Sequence, residues 1–330
     1  MTEQTSIPDD PARELRQLVD AGRFREALDA HQRIEPAARR PEGELLAATA
    51  ATRLGDFSTS IPLAESALEH FRARADSDGR MRAVNLLGAV AFEQGRLGEA
   101  ERCFGEALEL ARVVDDTRMA ANASNNLASV AHLQNRPDLA LSLYRTALLS
   151  YQRIGDRRGT AQTYHNLGLT FRQQRDWTDA EAASLKALRH AEAVGESGLM
   201  ALVVTGRAEI HLDRGELDLA RQELGMAERL CREADDEVGL AEVSRLRALL
   251  ALKEGKFAVA LDFALAARAV AVRFGILQLQ AECASAAALA LTRLGRDEEA
   301  GSHRQEATRL FERLGAEKLQ AAFEEMLGDN

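Results

Sequence analysis

The chain has 330 residues, 46% hydrophobic and 28% charged, with a formal charge of −10 and only 5% aromatics. That length exceeds one compact core and calls for several domains or a repeat array, and abundant Ala, Leu, Glu and Arg favour helices. The acidic balance without a basic stripe argues against a nucleic-acid partner; the longest apolar stretch, "CASAAALALT" at 283–292, is too short and Ala-rich to span a membrane.

The N-terminus, "MTEQTSIPDDP", has no basic region followed by an apolar core, so no signal peptide is expected and residues 1–11 read as a disordered lead. Five of the six prolines lie before residue 63, which leaves the rest free for long helices. Cys103, Cys231 and Cys283 are far apart and odd in number, the pattern of buried reduced thiols in a cytoplasmic protein.

Residues 12–76 hold two short, irregular units marked by "GRFREA" (22–27) and "GDFSTS" (55–60). From residue 78 to 315 the pattern becomes regular. "GRLGEA" (95–100), "NRPDLA" (135–140), "RDWTDA" (175–180), "GELDLA" (215–220), "GKFAVA" (255–260) and "GRDEEA" (295–300) each begin 40 residues after the last. Ala100, Ala140, Ala180, Ala220, Ala260 and Ala300 form one column. Ala107, Ala147, Ala187, Ala227, Ala267 and Ala307 form a second, two helical turns on and on the same face. Small residues there let a neighbouring helix approach closely. Each unit predicts a helix, a short turn and a second helix. In the fifth, the first helix (A) runs from about Gly159 to Gln174 with Ala161, Tyr164, Leu167, Gly168 and Phe171 on one face, and the second (B) from about Thr178 to Val194. Gly155, Gly195, Gly275 and Gly315 fall where B helices stop, as left-handed caps. "AEKLQAAFEEML" at 316–327 predicts a capping helix, with Leu319, Phe323, Met326 and Leu327 covering the last apolar face ahead of a tail ending at 330.

The pairs Leu87–Gly88, Leu127–Ala128 and Leu167–Gly168 in helix A, the turn and the two alanine columns resemble the tetratricopeptide repeat (TPR) family over about residues 12–314. The 40-residue unit resembles its long-helix variety, found in LGN-type scaffolds, kinesin light chains and the sensor halves of bacterial Rap-type and MalT-type regulators. The resemblance implies an all-α fold, a right-handed α-solenoid of about eight helical hairpins plus the C-terminal capping helix. Two departures stand out: the family's aromatic columns are thin, and Arg207 and Arg247 replace leucine, which suggests different packing in later units.

In that family the A helices build the concave wall. Carried over position by position, the wall comprises Arg82, Asn85, Leu86 and Ala89, then Asn122, Asn125, Asn126, Ser129 and His132, then Gln162, His165, Asn166, Leu169 and Arg172. These recur at three- and four-residue steps opposite the apolar stripe. Asn is a poor helix former, by roughly 0.5 kcal/mol against Ala, so the adjacent Asn125 and Asn126 need a reason. Stacked units would align Asn126 with Asn166 and Asn85 with Asn125 as a polar ladder able to grip an extended peptide backbone; the resemblance to LGN-type scaffolds implies that role. The alternative is that these asparagines merely face solvent or bridge helices. The candidate partner-binding residues are Arg82, Asn85, Asn122, Asn125, Asn126, Ser129, Gln162, His165, Asn166 and Arg172. Later wall positions are Leu202, Thr205, Gly206, Glu209 and Leu212; Glu242, Arg245, Leu246, Leu249 and Leu252; and Glu282, Ser285, Ala286 and Leu289. Their leucines suit either an amphipathic ligand or a core formed as the array closes on itself.

The seven histidines show no HExxH or other close ligand spacing; His132, His165 and His211 could approach one another across the wall. Phosphate-binding, dinucleotide and nucleophile-elbow motifs are absent, and the acidic pairs at 115–116 and 235–236 read as solvated turns. The expectation is a protein- or peptide-binding adaptor that is not an enzyme and needs no cofactor or metal. The oligomeric state, including a homo-oligomer, is open. A peptide-responsive regulatory sensor is the alternative, although no separate output module is recognisable in the chain.

Overall fold

The computed structural model describes residues 11–328, so the lead expected over 1–11 falls, apart from Pro11, outside the described residues. Eight helical hairpins follow one another: α1 (Pro11–Asp20) with α2 (Phe24–Arg33), α3 (Pro41–Arg53) with α4 (Phe57–Ala73), α5 (Ser77–Glu93) with α6 (Leu97–Val113), and α7 (Thr117–Leu133) with α8 (Pro137–Arg153). Next come α9 (Arg157–Gln173) with α10 (Trp177–Val194), α11 (Ser197–Asp213) with α12 (Leu217–Glu233), α13 (Glu237–Lys253) with α14 (Phe257–Arg273), and α15 (Leu277–Arg293) with α16 (Asp297–Leu314). A 3₁₀ turn (Pro36–Ala38) separates the first two hairpins, and α17 (Glu317–Gly328) closes the stack. No strand occurs among the described residues.

From Phe57 onward a helix begins every 20 residues. The turn chemistry behind this spacing is local. From the α3–α4 turn onward each connection places one residue in the left-handed region: the expected glycines 155, 195, 275 and 315 do so, as do Ala75, Asp115, Asn135, Arg175 and Asp235. Where the next residue is aspartate, it caps the following helix. Asp56, Asp76, Asp116, Asp156, Asp176 and Asp236 each accept the N–H three residues on, at 2.8–3.2 Å. The acidic pairs at 115–116 and 235–236 therefore combine a left-handed residue with an N-cap.

Both alanine columns are at most 1% exposed throughout, at the contact of each B helix with its neighbours. The core is a row of small clusters between successive hairpins rather than one centre. Arg207 and Arg247 do not disturb it. Arg207 pairs with Glu223 on α12 at 3.0 Å, while Arg247 pairs with Glu228, also on α12, and lies 5.8 Å from the Phe263 ring centroid. At the far end Phe323 is buried against Phe311 (ring centroids 6.4 Å apart), and Leu319 packs beside them.

The curled array meets itself. Gly55, in the α3–α4 turn, lies so close to the α14–α15 turn that a Cβ there would sit 2.5 Å from the carbonyl oxygen of Phe274. A Cβ on Gly275 would lie 3.2 Å from the Phe57 ring, and one on Gly95 2.7 Å from Leu314. The third hairpin thus abuts the last, and the A helices surround a partly open volume.

Candidate functional site

That volume is a cavity of about 460 Å³, the size of sites that take drug-sized ligands. Its lining drifts along the A helices. On α5 and α7 it touches the last turn, at Phe92, Glu93, His132 and Leu133; on α11 the middle, from Leu202 to Glu209. On α13 and α15 it touches the first turns, at Glu242, Gln278 and Glu282. Each hairpin is rotated against the last, so a fixed position in the repeat does not keep facing the lumen.

At its centre lies a network of charges. Arg245, 9% exposed, reaches Glu242 at 2.9 Å and Glu282 at 3.0 Å through Nε, and Glu209 at 3.1 Å through Nη2. Arg172 pairs with Glu209 at 3.3 Å and with Asp213 at 3.0 Å. Burial alone would raise the Glu209 pKa, but Arg172 and Arg245 overcome it and hold the carboxyl at about 2. Burial also raises the pKa of Glu242, with Glu282 and Glu209 adding to the shift and Arg245 opposing it. Burial raises Glu93 too, offset in part by Arg53. His165 is buried against α11, where a Cβ at position 206 would stand 2.5 Å from its Cε1; Gly206 is there to admit the ring. Desolvation lowers its pKa to about 4, so it is neutral near pH 7.

Only His165 and Arg172 of the ten sequence-derived candidates line this cavity. The asparagines sit N-terminal to it and make bonds between units: Asn126 Nδ2 donates to Asn85 Oδ1 at 3.3 Å, and Asn166 Nδ2 to Asn125 Oδ1 at 3.4 Å. The asparagines thus bridge neighbouring A helices, as in the alternative reading, and their pairing is shifted by one position from the expected alignment because adjacent A helices are offset. All four are half-buried. Asn122 accepts from the Tyr151 hydroxyl at 2.6 Å, and Ser129 lies 3.0 Å from the Tyr144 hydroxyl, so both are tied to α8. Arg82 is exposed and pairs with Asp78 at 3.2 Å, and Gln162 is half-exposed. Asn85 and Asn125 stand two helical turns before Glu93 and His132, on the same face of α5 and α7. The asparagine strip therefore continues the wall that leads to the cavity.

Sequence reasoning missed Glu93 and Phe92 and left Glu209, Glu242, Arg245 and Glu282 as unassigned wall positions. The available signal was charge on an otherwise apolar helix, as at Arg245 in "SRLRALLALK". Leu212, Leu246 and Leu289 are core residues, 1%, 0% and 7% exposed, while Leu202 faces the cavity. His132 approaches Thr170 and His211 approaches Glu216, and among the described residues no three His, Cys, Asp or Glu side chains converge as for a metal. No described helix is long and apolar enough to cross a membrane.

Two tetratricopeptide repeat models match the sequence, one over residues 42–112 and 119–193 and another over 165–235. The chain belongs to the tetratricopeptide repeat family. No curated protein sequence matches it. Among solved structures it is similar to a Rap protein complexed with Competence and Sporulation Factor, at 14% identity and TM-score 0.65 over 97% of this chain and 96% of that one. It is also similar to the Rap conjugation gene regulator of plasmid pLS20 in complex with the Phr* peptide, at 13% identity and TM-score 0.65 over 92% and 96%. A third likeness is to NprR in complex with its cognate peptide NprX, at 13% identity and TM-score 0.62 over 89% and 86%. At such identities these are likenesses of fold.

Proposed function

We propose that this protein captures a peptide segment, with one end of the segment in the cavity and its backbone along the asparagine strip. The observation that carries this reading is the charged cavity itself. Burying Arg245, with Arg172 and four half-buried glutamates around it, costs stability that apolar side chains would not, and such a cluster inside a cavity supports a binding site. The asparagines add amide groups beyond those used between units: Asn85 and Asn125 accept through Oδ1, and Asn126 and Asn166 donate through Nδ2. Their other amide atoms suit the donors and acceptors of an extended chain. The three free thiols, two of them buried, support a reducing compartment, and the site has the character of a binding surface rather than a catalytic one.

The test is selection from a displayed random-peptide library on the immobilised full-length chain. Enriched peptides should lose binding to Arg172→Ala and weaken at least tenfold with the Asn126→Ala, Asn166→Ala pair. A library that yields no enriched peptide overturns the proposal.

A regulatory role is the second reading, and the self-contact of the array favours it. A ligand wedged among the A helices would alter the approach of Gly55 to Phe274, and so the pitch of the whole superhelix. Small-angle scattering with an enriched peptide should show a change in radius of gyration; unchanged dimensions would leave a passive adaptor.

A further inference from the structure

We infer that the cavity takes a cationic group, a guanidinium or an ammonium on an aliphatic stem, between Glu93 and Glu242. For the peptide it would belong to, this inference rests on the capture reading above; the cation site itself does not.

Four glutamates, Glu93, Glu209, Glu242 and Glu282, line the cavity together with only two arginines, Arg172 and Arg245. Arg245 is committed to Glu209, Glu242 and Glu282, and Arg172 is shared between Glu209 and Asp213. Glu93, on α5 across the cavity, makes no hydrogen bond or ion pair among the described residues. Arg53 and Glu242 are the charges that act on it, the second by repulsion. Glu93 is half-buried, and no hydrogen bond or ion pair among the described residues offsets the desolvation that raises its pKa. Here it faces a partly open cavity with room for a ligand, whose glutamates outnumber its arginines. The carboxylates do not converge as metal ligands do, which favours an organic cation. Arg245 already shows, within the same cavity, that a guanidinium can be held by three of these carboxylates. The rest of the lining suits a stem: Phe92, Leu169, Leu202 and Leu279 are apolar, as the methylenes of arginine or lysine require.

The test is calorimetric titration of the full chain with N-acetyl-argininamide, and with N-acetyl-norleucinamide, which keeps a stem but lacks the charge. Saturable binding of the first and not the second is expected, weakened at least tenfold by Glu93→Gln, with Glu242→Gln as a second variant and circular dichroism confirming that both fold. No saturable binding into the millimolar range, or binding that Mg²⁺ competes away equally well, overturns the inference. The peptide library separates the two proposals. Enriched peptides without any argininamide binding sink the cation site and leave peptide capture standing. Argininamide binding without any enriched peptide does the reverse.

Discussion

At the scale of single residues, five non-glycine side chains among the described residues occupy left-handed backbone in the turns, a conformation that costs an L-residue about 1 kcal/mol. Arg175 is an exposed example, with φ of 59°. Arg175→Gly should therefore stabilise the chain by about 0.5–1 kcal/mol in urea denaturation; a loss would show that its side chain supports the turn. His165 gives a pH dependence. Folded, it titrates at about 4; unfolded, at about 6.5. As pH falls between those values the unfolded chain takes up a proton that the folded one refuses, so stability drops, by up to about 3 kcal/mol from this group. Glu209, held at about 2 when folded, extends the loss to lower pH. The raised Glu93 and Glu242 act in the opposite sense. Comparing urea midpoints of wild type and His165→Gln between pH 7 and 4.5 isolates the histidine, since the carboxylates are common to both. Equal slopes for the two proteins would refute its buried neutral state.

At the scale of helices, the alanine columns set the distance between neighbours. Ala180 and Ala187 are fully buried on α10, so Ala187→Leu should overpack the hairpin and destabilise it by about 1–3 kcal/mol, visible as a lower melting temperature. Melting like wild type would mean that the helices can part without penalty. The asparagine bonds couple hairpin to hairpin. A double-mutant cycle of Asn85→Ala and Asn126→Ala should return a coupling of about 0.5–1 kcal/mol, and zero coupling would leave these side chains for ligand alone. The repeat, hairpin lengths and turns were legible because alanine spacing, Gly at helix ends and Asp caps are local signals. The bonding partners of the asparagines were not, because the one-residue offset between adjacent A helices arises only when hairpins pack.

At the scale of the whole molecule, closure rests on small residues at the contact between distant turns. Gly55→Ala should force Phe274 away and open the array. Gly155→Ala is its control, having nearly the same φ (69° against 70°) but nothing within 4 Å of the added Cβ. Both variants should lose stability from backbone strain, and only the first should raise the radius of gyration in small-angle scattering. Equal dimensions for the two would show that the contact does not hold the curl.

By itself the sequence determined the all-helical repeat, its hairpins, its caps and the small faces that let them stack, since each depends on residues within one or two turns of each other. Only the tertiary structure decided which polar side chains share one cavity. Small rotations between units add up along the superhelix, carrying the lining from the ends of α5 and α7 to the starts of α13 and α15 and setting Glu93 opposite Glu242. No constant offset along the chain encodes that sum.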